Sequence, residues 1–136
     1  MKRIAIVLGV LLLAGLALAD EKFVEKRFVA TVDADGVQRV TMTAGEYFFD
    51  PNVVVVKVNV PVELTVRKEP GITPHDIALK APEAGVDFAV DLSTEPKVIK
   101  FTATKPGKYP FACTERFLFF KSHKERGMHG VLEVVE

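Results

Sequence analysis

Alternation with period two, repeated in short runs along most of the 136-residue chain, is the feature that most restricts its fold. Successive side chains of an extended strand point to opposite faces, so alternate apolar residues bury one face and leave the other to solvent. In "PVELTVR" (61–67) Val62, Leu64 and Val66 share one face, with Glu63, Thr65 and Arg67 on the other. "KVIKFTA" (97–103) opposes Ile99, Phe101 and Ala103 to Val98, Lys100 and Thr102, and "VVVVKVNV" (53–60) groups Val54, Val56, Val58 and Val60 against Lys57 and Asn59. Further strands are expected over 27–32, 38–43, 75–79, 108–113 and 131–135. Asp33-Ala34-Asp35-Gly36, Asp50-Pro51-Asn52, Pro70-Gly71 and Pro106-Gly107 supply turn chemistry between them. The stretch 81–96 lacks clean alternation and is expected to be a long connection with one helical turn. Seven or eight short strands with this punctuation predict an all-β, antiparallel sandwich or barrel.

The first residues do not share the pattern. "MKRIAIVLGVLLLAGLALAD" opens with Lys2 and Arg3, runs apolar from Ile4 to Ala19 and ends on Ala17-Leu18-Ala19. That is the layout of a secretory signal peptide over 1–19, and the apolar run is short for a membrane span of about 20 residues. The expectation is a single β domain over 20–136, exported to the periplasm or another extracytoplasmic space, with no membrane span in its mature form; an uncleaved anchor is the alternative. Beyond residue 19 there are sixteen basic and eighteen acidic residues. That balance argues against a nucleic-acid partner. With one cysteine no intramolecular disulfide forms, and an exported chain that carries a single thiol has either buried it or put it to use.

That cysteine lies in "FACTERFLFFKSHKERGMHG" (111–130), which also holds two of the three histidines and one of the three methionines. Alternation in "KYPFAC" puts Tyr109, Phe111 and Cys113 on the core face, so Cys113 ends a core-facing row as its strand leaves the sandwich. In "HDIALK" His75 begins a row that continues through Ile77 and Leu79. A thiol and an imidazole at the ends of antiparallel neighbours face one another when the end of one strand lies beside the start of the next. His123 and Met128 follow before the closing strand. One thiolate, two imidazoles and a thioether are the donor set of a copper electron-transfer site, with His2Cys in a plane and a weak axial Met. Thiolate and thioether favour the lower oxidation state and imidazole suits both. Taken singly, each residue also has an ordinary reading, as a solvated turn histidine, a surface histidine among lysines or a core methionine.

At these residues the chain resembles the cupredoxins, the small copper proteins of the plastocyanin, azurin and auracyanin type. The resemblance covers roughly 53–136 and is carried by "PHD" (74–76), "KPGKYPFAC" (105–113) and "HKERGMHGVLEV" (123–134). It implies a Greek-key sandwich of about eight strands with one copper ion per chain at one end, held by His75, Cys113, His123 and Met128. One departure is the nine-residue interval between Cys113 and His123, longer than in familiar single-copper members. Two doublings of a short loop cost about 1.2 kcal/mol in closure entropy, against a metal-binding free energy on the order of 10 kcal/mol, so the length does not forbid the site. "CTERFLFF" lacks the second cysteine that a dinuclear copper site requires, which leaves a mononuclear one.

The functional expectation is therefore an exported, monomeric, non-enzymatic carrier of single electrons between Cu(I) and Cu(II). His123 is expected to be the more exposed imidazole and the exit, and His75 the buried one. A redox-partner protein with an acidic rim is expected to dock through the 117–126 loop, where Phe117, Leu118, Phe119 and Phe120 shield the metal or form an apolar patch beside Lys121, Lys124 and Arg126. Minor ligand candidates are His129, which points away from Met128 on an extended chain, and the carboxylates Glu46, Asp50 and Glu115 for a red rather than blue site. Two alternatives use the same residues: delivery of copper to an extracytoplasmic oxidase, and a non-redox zinc-type site of His75, Cys113 and His123.

Overall fold

The computed structural model describes residues 23–116 and 122–136. The expected signal peptide and the aromatic run at 117–120 lie outside the described residues. No helix among the described residues is long and apolar enough to cross a membrane.

The described chain forms ten strands and one 3-10 turn, Pro82–Ala84. The strands are β1 (Arg27–Val29), β2 (Gln38–Gly45), β3 (Phe48–Asp50), β4 (Val53–Lys57), β5 (Val62–Lys68), β6 (Asp76–Ala81), β7 (Val86–Asp91), β8 (Lys97–Phe101), β9 (Gly107–Ala112) and β10 (His129–Val135). They build two sheets, one ordered β1-β4-β10-β9-β6-β7 and the other β3-β2-β5-β8. The all-β sandwich expected from the alternation is the architecture observed.

Eight of these strands match expected positions; β3 and β7 are additional. β7 falls in the stretch read as a connection, yet Val86, Phe88 and Val90 are more buried than Asp87, Ala89 and Asp91 between them. Ala89, counted as apolar, blurred that alternation. β3 is three residues long, too short to display a period. β1 is shorter than the expected 27–32 and is exposed along its length, and among the described residues it is an edge strand that pairs only with β4.

Pairing departs from the purely antiparallel expectation. β1 runs parallel to β4, β4 to β10 and β2 to β5. The chain crosses repeatedly from one sheet to the other, so strands that become neighbours come from distant parts of the sequence. Turn residues show where the chain reverses but not which strand it will lie beside.

The predicted inward faces meet in one core. Val40 and Met42 (β2), Leu64 and Val66 (β5) and Ile99 (β8) pack with Val54 and Val56 (β4), Ile77 and Leu79 (β6), Phe111 (β9) and Leu132 and Val134 (β10). Each such side chain contributes up to about 1.5–3 kcal/mol relative to exposure, which lets a sandwich of this size stand without disulfides. Gln38 is a polar exception, fully buried. Its amide donates to the Lys57 and Val60 carbonyls and accepts the Lys57 N–H, which secures the β4–β5 turn. At the opposite end Phe49 and Phe111 meet edge to face across the sheets, with ring centroids 5.4 Å apart.

That end gathers the candidate ligands. β9 lies between β10 and β6 and is antiparallel to both, with Ala112 opposite His129 on one side and Ala78 on the other. The end of β9 therefore stands beside the starts of β6 and β10. The juxtaposition needed for Cys113 and His75 follows from this register.

Candidate metal centre

His75 immediately precedes β6, Cys113 immediately follows β9, and Met128 immediately precedes β10. The Cys113 N–H donates to the Met128 carbonyl at 3.0 Å, carrying the β9–β10 ladder one step past the strands. His123 is delivered by the turn between them. Its N–H donates to the Glu115 carbonyl at 3.0 Å, and its own carbonyl accepts the Met128 N–H at 2.9 Å. Gly127 closes this turn with φ of +106°, a left-handed conformation that suits glycine and that returns Met128 to the side of Cys113.

The four side chains expected as ligands are all buried: His75 is 4% exposed, Cys113 1%, His123 6% and Met128 0%. The two Nδ1 atoms of His75 and His123 are 3.2 Å apart, and Cys113 Sγ is 3.4 Å from His123 Nδ1. Donor atoms of all three residues lie within 4.8 Å of one another. Ligands that share one ion through bonds of about 2.0–2.3 Å stand about 3.2–3.9 Å apart at trigonal to tetrahedral angles, so the trio fits a single metal. Met128 belongs to the same buried cluster as Cys113. Sulfur and imidazole together select copper or zinc over magnesium or calcium.

Burial governs protonation here. It holds His75 below the ordinary imidazole range, with the neighbouring His123 and then Lys68 acting in the same direction. Burial also pushes the Cys113 thiol up to about 11. The metal-free site therefore keeps a neutral His75 and a protonated thiol at neutral pH, which spares these two groups the cost of a buried charge. A metal ion displaces the thiol proton when it binds.

Two supporting features had no role in the sequence reading. The first is Asp76, next to His75. Its N–H points to Cys113 Sγ at 3.5 Å, while its carboxylate accepts the Thr114 N–H at 2.5 Å and the Thr114 hydroxyl. Asp76 and Thr114 thus clamp the start of β6 to the residue after the thiol. Such partners orient ligands and tune the metal. "PHD" and "CT" each put a polar residue directly after a ligand, which was the available signal. The second is Tyr47, whose ring is 4.9 Å from that of His123 and 6.4 Å from that of His75. The same two-residue step that places Phe49 in the core places Tyr47 over the imidazoles.

The remaining candidates are not brought to the cluster. His129 is half-buried and stacks on Phe23 with centroids 4.9 Å apart. Glu46 accepts the Thr73 hydroxyl, and Asp50 pairs with Lys26 at 3.2 Å. Glu115 groups with Asp76 and Asp91 instead of the histidines. His123 is not the exposed imidazole expected of it; both rings are covered to a similar degree. The expected aromatic shield at 117–120 lies outside the described residues.

A family model described as a cupredoxin-like domain matches residues 5–132. No match was found among curated protein sequences. Solved structures with similar folds include a copper-binding protein in its apo form, at 23% identity over 79% of this chain and 96% of that one, with a TM-score of 0.58. The metal-binding domain of the Streptococcus pneumoniae Cu(I)-exporting P-type ATPase CopA is also 23% identical, over 83% and 99%, with a TM-score of 0.59. Auracyanin from Roseiflexus castenholzii is 21% identical over 79% and 99%, with a TM-score of 0.58. At these identities the likeness is one of fold.

Proposed function

We propose a function from one premise: the chain belongs to the cupredoxin-like domain family. On that premise it is an exported, monomeric copper protein that carries single electrons to or from a redox-partner protein, without catalytic turnover of a substrate. His75, Cys113 and His123 would hold one copper ion, with the buried Met128 as a weaker fourth donor. Copper bound there supplies one-electron exchange between Cu(I) and Cu(II). Cys113, bonded through its backbone to β9, would link bound copper covalently to that strand. The Asp76 N–H directed at its sulfur tempers the thiolate's donor strength, and the Asp76–Thr114 clamp limits movement of the sulfur between oxidation states. Burial of the two imidazoles would restrict their movement and so limit rearrangement at the site.

The observation that carries this reading is the convergence of His75 Nδ1, His123 Nδ1 and Cys113 Sγ within one buried cluster at the end of the sandwich. The test is a Cu(II) titration of the domain over 20–136, read by visible and electron-paramagnetic spectra, with Cys113→Ser alongside. A one-to-one coloured complex that the substitution abolishes is expected. Absence of colour, or colour that survives in Cys113→Ser, refutes the assignment.

A second reading, copper delivery, is favoured by a polar cavity of about 370 Å³ that reaches His75 and is lined in part by Glu46, Lys68 and Thr73. It brings open polar space up to the His75 side of the centre. Rapid loss of Cu(I) to a chelator distinguishes delivery from electron carriage.

A further inference from the structure

We propose that the face formed by Tyr47 and Arg126 is the electron-exit surface of the protein, and that it docks a partner that carries anionic groups around a one-electron metal centre. The inference rests on the copper reading above and goes beyond it by locating the exit. Both imidazoles are buried, so an electron that leaves through either crosses whatever covers it. Among the described residues, Tyr47 is the one aromatic side chain whose ring contacts both. Tyr47 is itself partly exposed and lines a surface cavity of about 380 Å³. A π-system touching the ligands on one side and the surface on the other gives a short path with no covalent detour. One electron passes between partner and bound metal; one is oxidised as the other is reduced, and no bond or proton is exchanged.

The chemistry of the cavity selects the partner. Its wall is apolar, with Phe23, Phe48 and Phe49, and it carries two cations, Lys26 and Arg126. Arg126 stands with its guanidinium 4.8 Å from the centre of the Tyr47 ring. Lys26 lies over Phe48 at 5.7 Å and is partly neutralised by Asp50. Among the described residues Arg126 is half-exposed and has no carboxylate partner, so no countercharge offsets it at the cavity wall. The cavity on the His75 side is polar and carries Glu46 and Glu69 against Lys68. An anionic partner is therefore attracted to the Tyr47 side and not to the His75 side.

The test compares copper-loaded wild type with Arg126→Glu, Arg126→Gln and Lys105→Glu. Lys105 lies in the turn before β9, at the end of the sandwich away from Cys113, and makes the same change in net charge as Arg126→Glu. The rate of electron exchange with hexacyanoferrate is expected to fall about ten-fold in Arg126→Glu at low ionic strength, about three-fold in Arg126→Gln, and less than two-fold in Lys105→Glu. The salt dependence flattens in the same order, while the visible spectra stay unchanged. Equal effects of Arg126→Glu and Lys105→Glu, or none from either, overturn the assignment. A second measurement needs no copper. Hexacyanochromate(III), a redox-inert paramagnetic anion, is added to the metal-free protein and amide resonances are followed. Selective broadening at Tyr47 and Gly127 supports the surface, and broadening centred elsewhere refutes it. Failure to load copper with unchanged selective broadening counts against the copper reading alone.

Discussion

Replacing Asp76 with alanine isolates the clamp that holds the thiol-bearing strand end. The carboxylate accepts two hydrogen bonds from Thr114, one from its N–H at 2.5 Å and one from its hydroxyl. Hydrogen bonds to charged groups contribute about 1.5–3 kcal/mol each. Asp76 is 7% exposed, so part of that gain offsets the desolvation of the carboxylate. Thr114 is exposed, and water replaces the lost acceptor once the carboxylate is gone. The net expectation for Asp76→Ala is a loss of about 2 kcal/mol in the metal-free protein. For a domain of this size that lowers Tm by roughly 8 °C. Asp76→Asn keeps a carbonyl for the Thr114 N–H and offers an amide N–H to its hydroxyl, so its loss stays near ~0.5 kcal/mol. Urea unfolding of the three metal-free proteins measures this as a shift in midpoint at constant slope. Hydrogen exchange at the Thr114 amide checks its origin and should accelerate in Asp76→Ala alone. A loss under ~0.5 kcal/mol in Asp76→Ala would show that the clamp contributes nothing and that β9 is held by its ladder to β10. Equal losses in the two variants would refute the hydrogen-bond count in favour of the carboxylate's charge.

Copper affinity should rise about ten-fold per pH unit from 7 to 10, because one thiol proton with pKa about 11 leaves Cys113 on binding; competition titration measures the slope, and a flat profile refutes thiolate ligation. The metal-free protein should lose stability at both ends of the pH scale. Below about 6.5 the unfolded chain takes up the proton that buried His75 resists, and above about 9 the unfolded chain releases the proton that Cys113 retains, the alkaline loss reaching ~2–3 kcal/mol by pH 11. Chemical denaturation across pH checks both limbs, and Cys113→Ser should abolish the alkaline one. Gln38→Leu should cost about 2–4 kcal/mol by leaving the Lys57 N–H and two carbonyls without their partner; equilibrium unfolding measures it, and a neutral effect would mean water satisfies that turn. Gly130→Ala should cost a similar amount, since a Cβ there overlaps the Asn52 carbonyl oxygen and the Phe111 ring.

Much of this protein is written in local chemistry. Alternation at 62–66, 75–79, 97–101 and 109–113 told which side chains face inward, because the strand's two-fold repeat is a property of the backbone and needs no knowledge of neighbours. The donor types at 75, 113, 123 and 128 pointed to a soft metal such as copper for the same reason, since softness belongs to the side chain itself. Their convergence was legible only as a possibility of antiparallel pairing, and it became definite once β9 lay between β6 and β10. Strand partners were not legible. The parallel β2–β5 and β4–β10 pairs depend on where the chain crosses between sheets, a long-range matter that no turn residue encodes. The equal burial of the two imidazoles, the grip of Asp76 on Thr114 and the position of Tyr47 over the histidines each join residues at least 28 positions apart in sequence. Such contacts arise from the way distant segments stack at one end of the sandwich. Sequence alone thus determined most of the strands, their inward faces and the donor types they carry; tertiary structure decided which strands adjoin, what supports the thiol and what covers the two buried imidazoles.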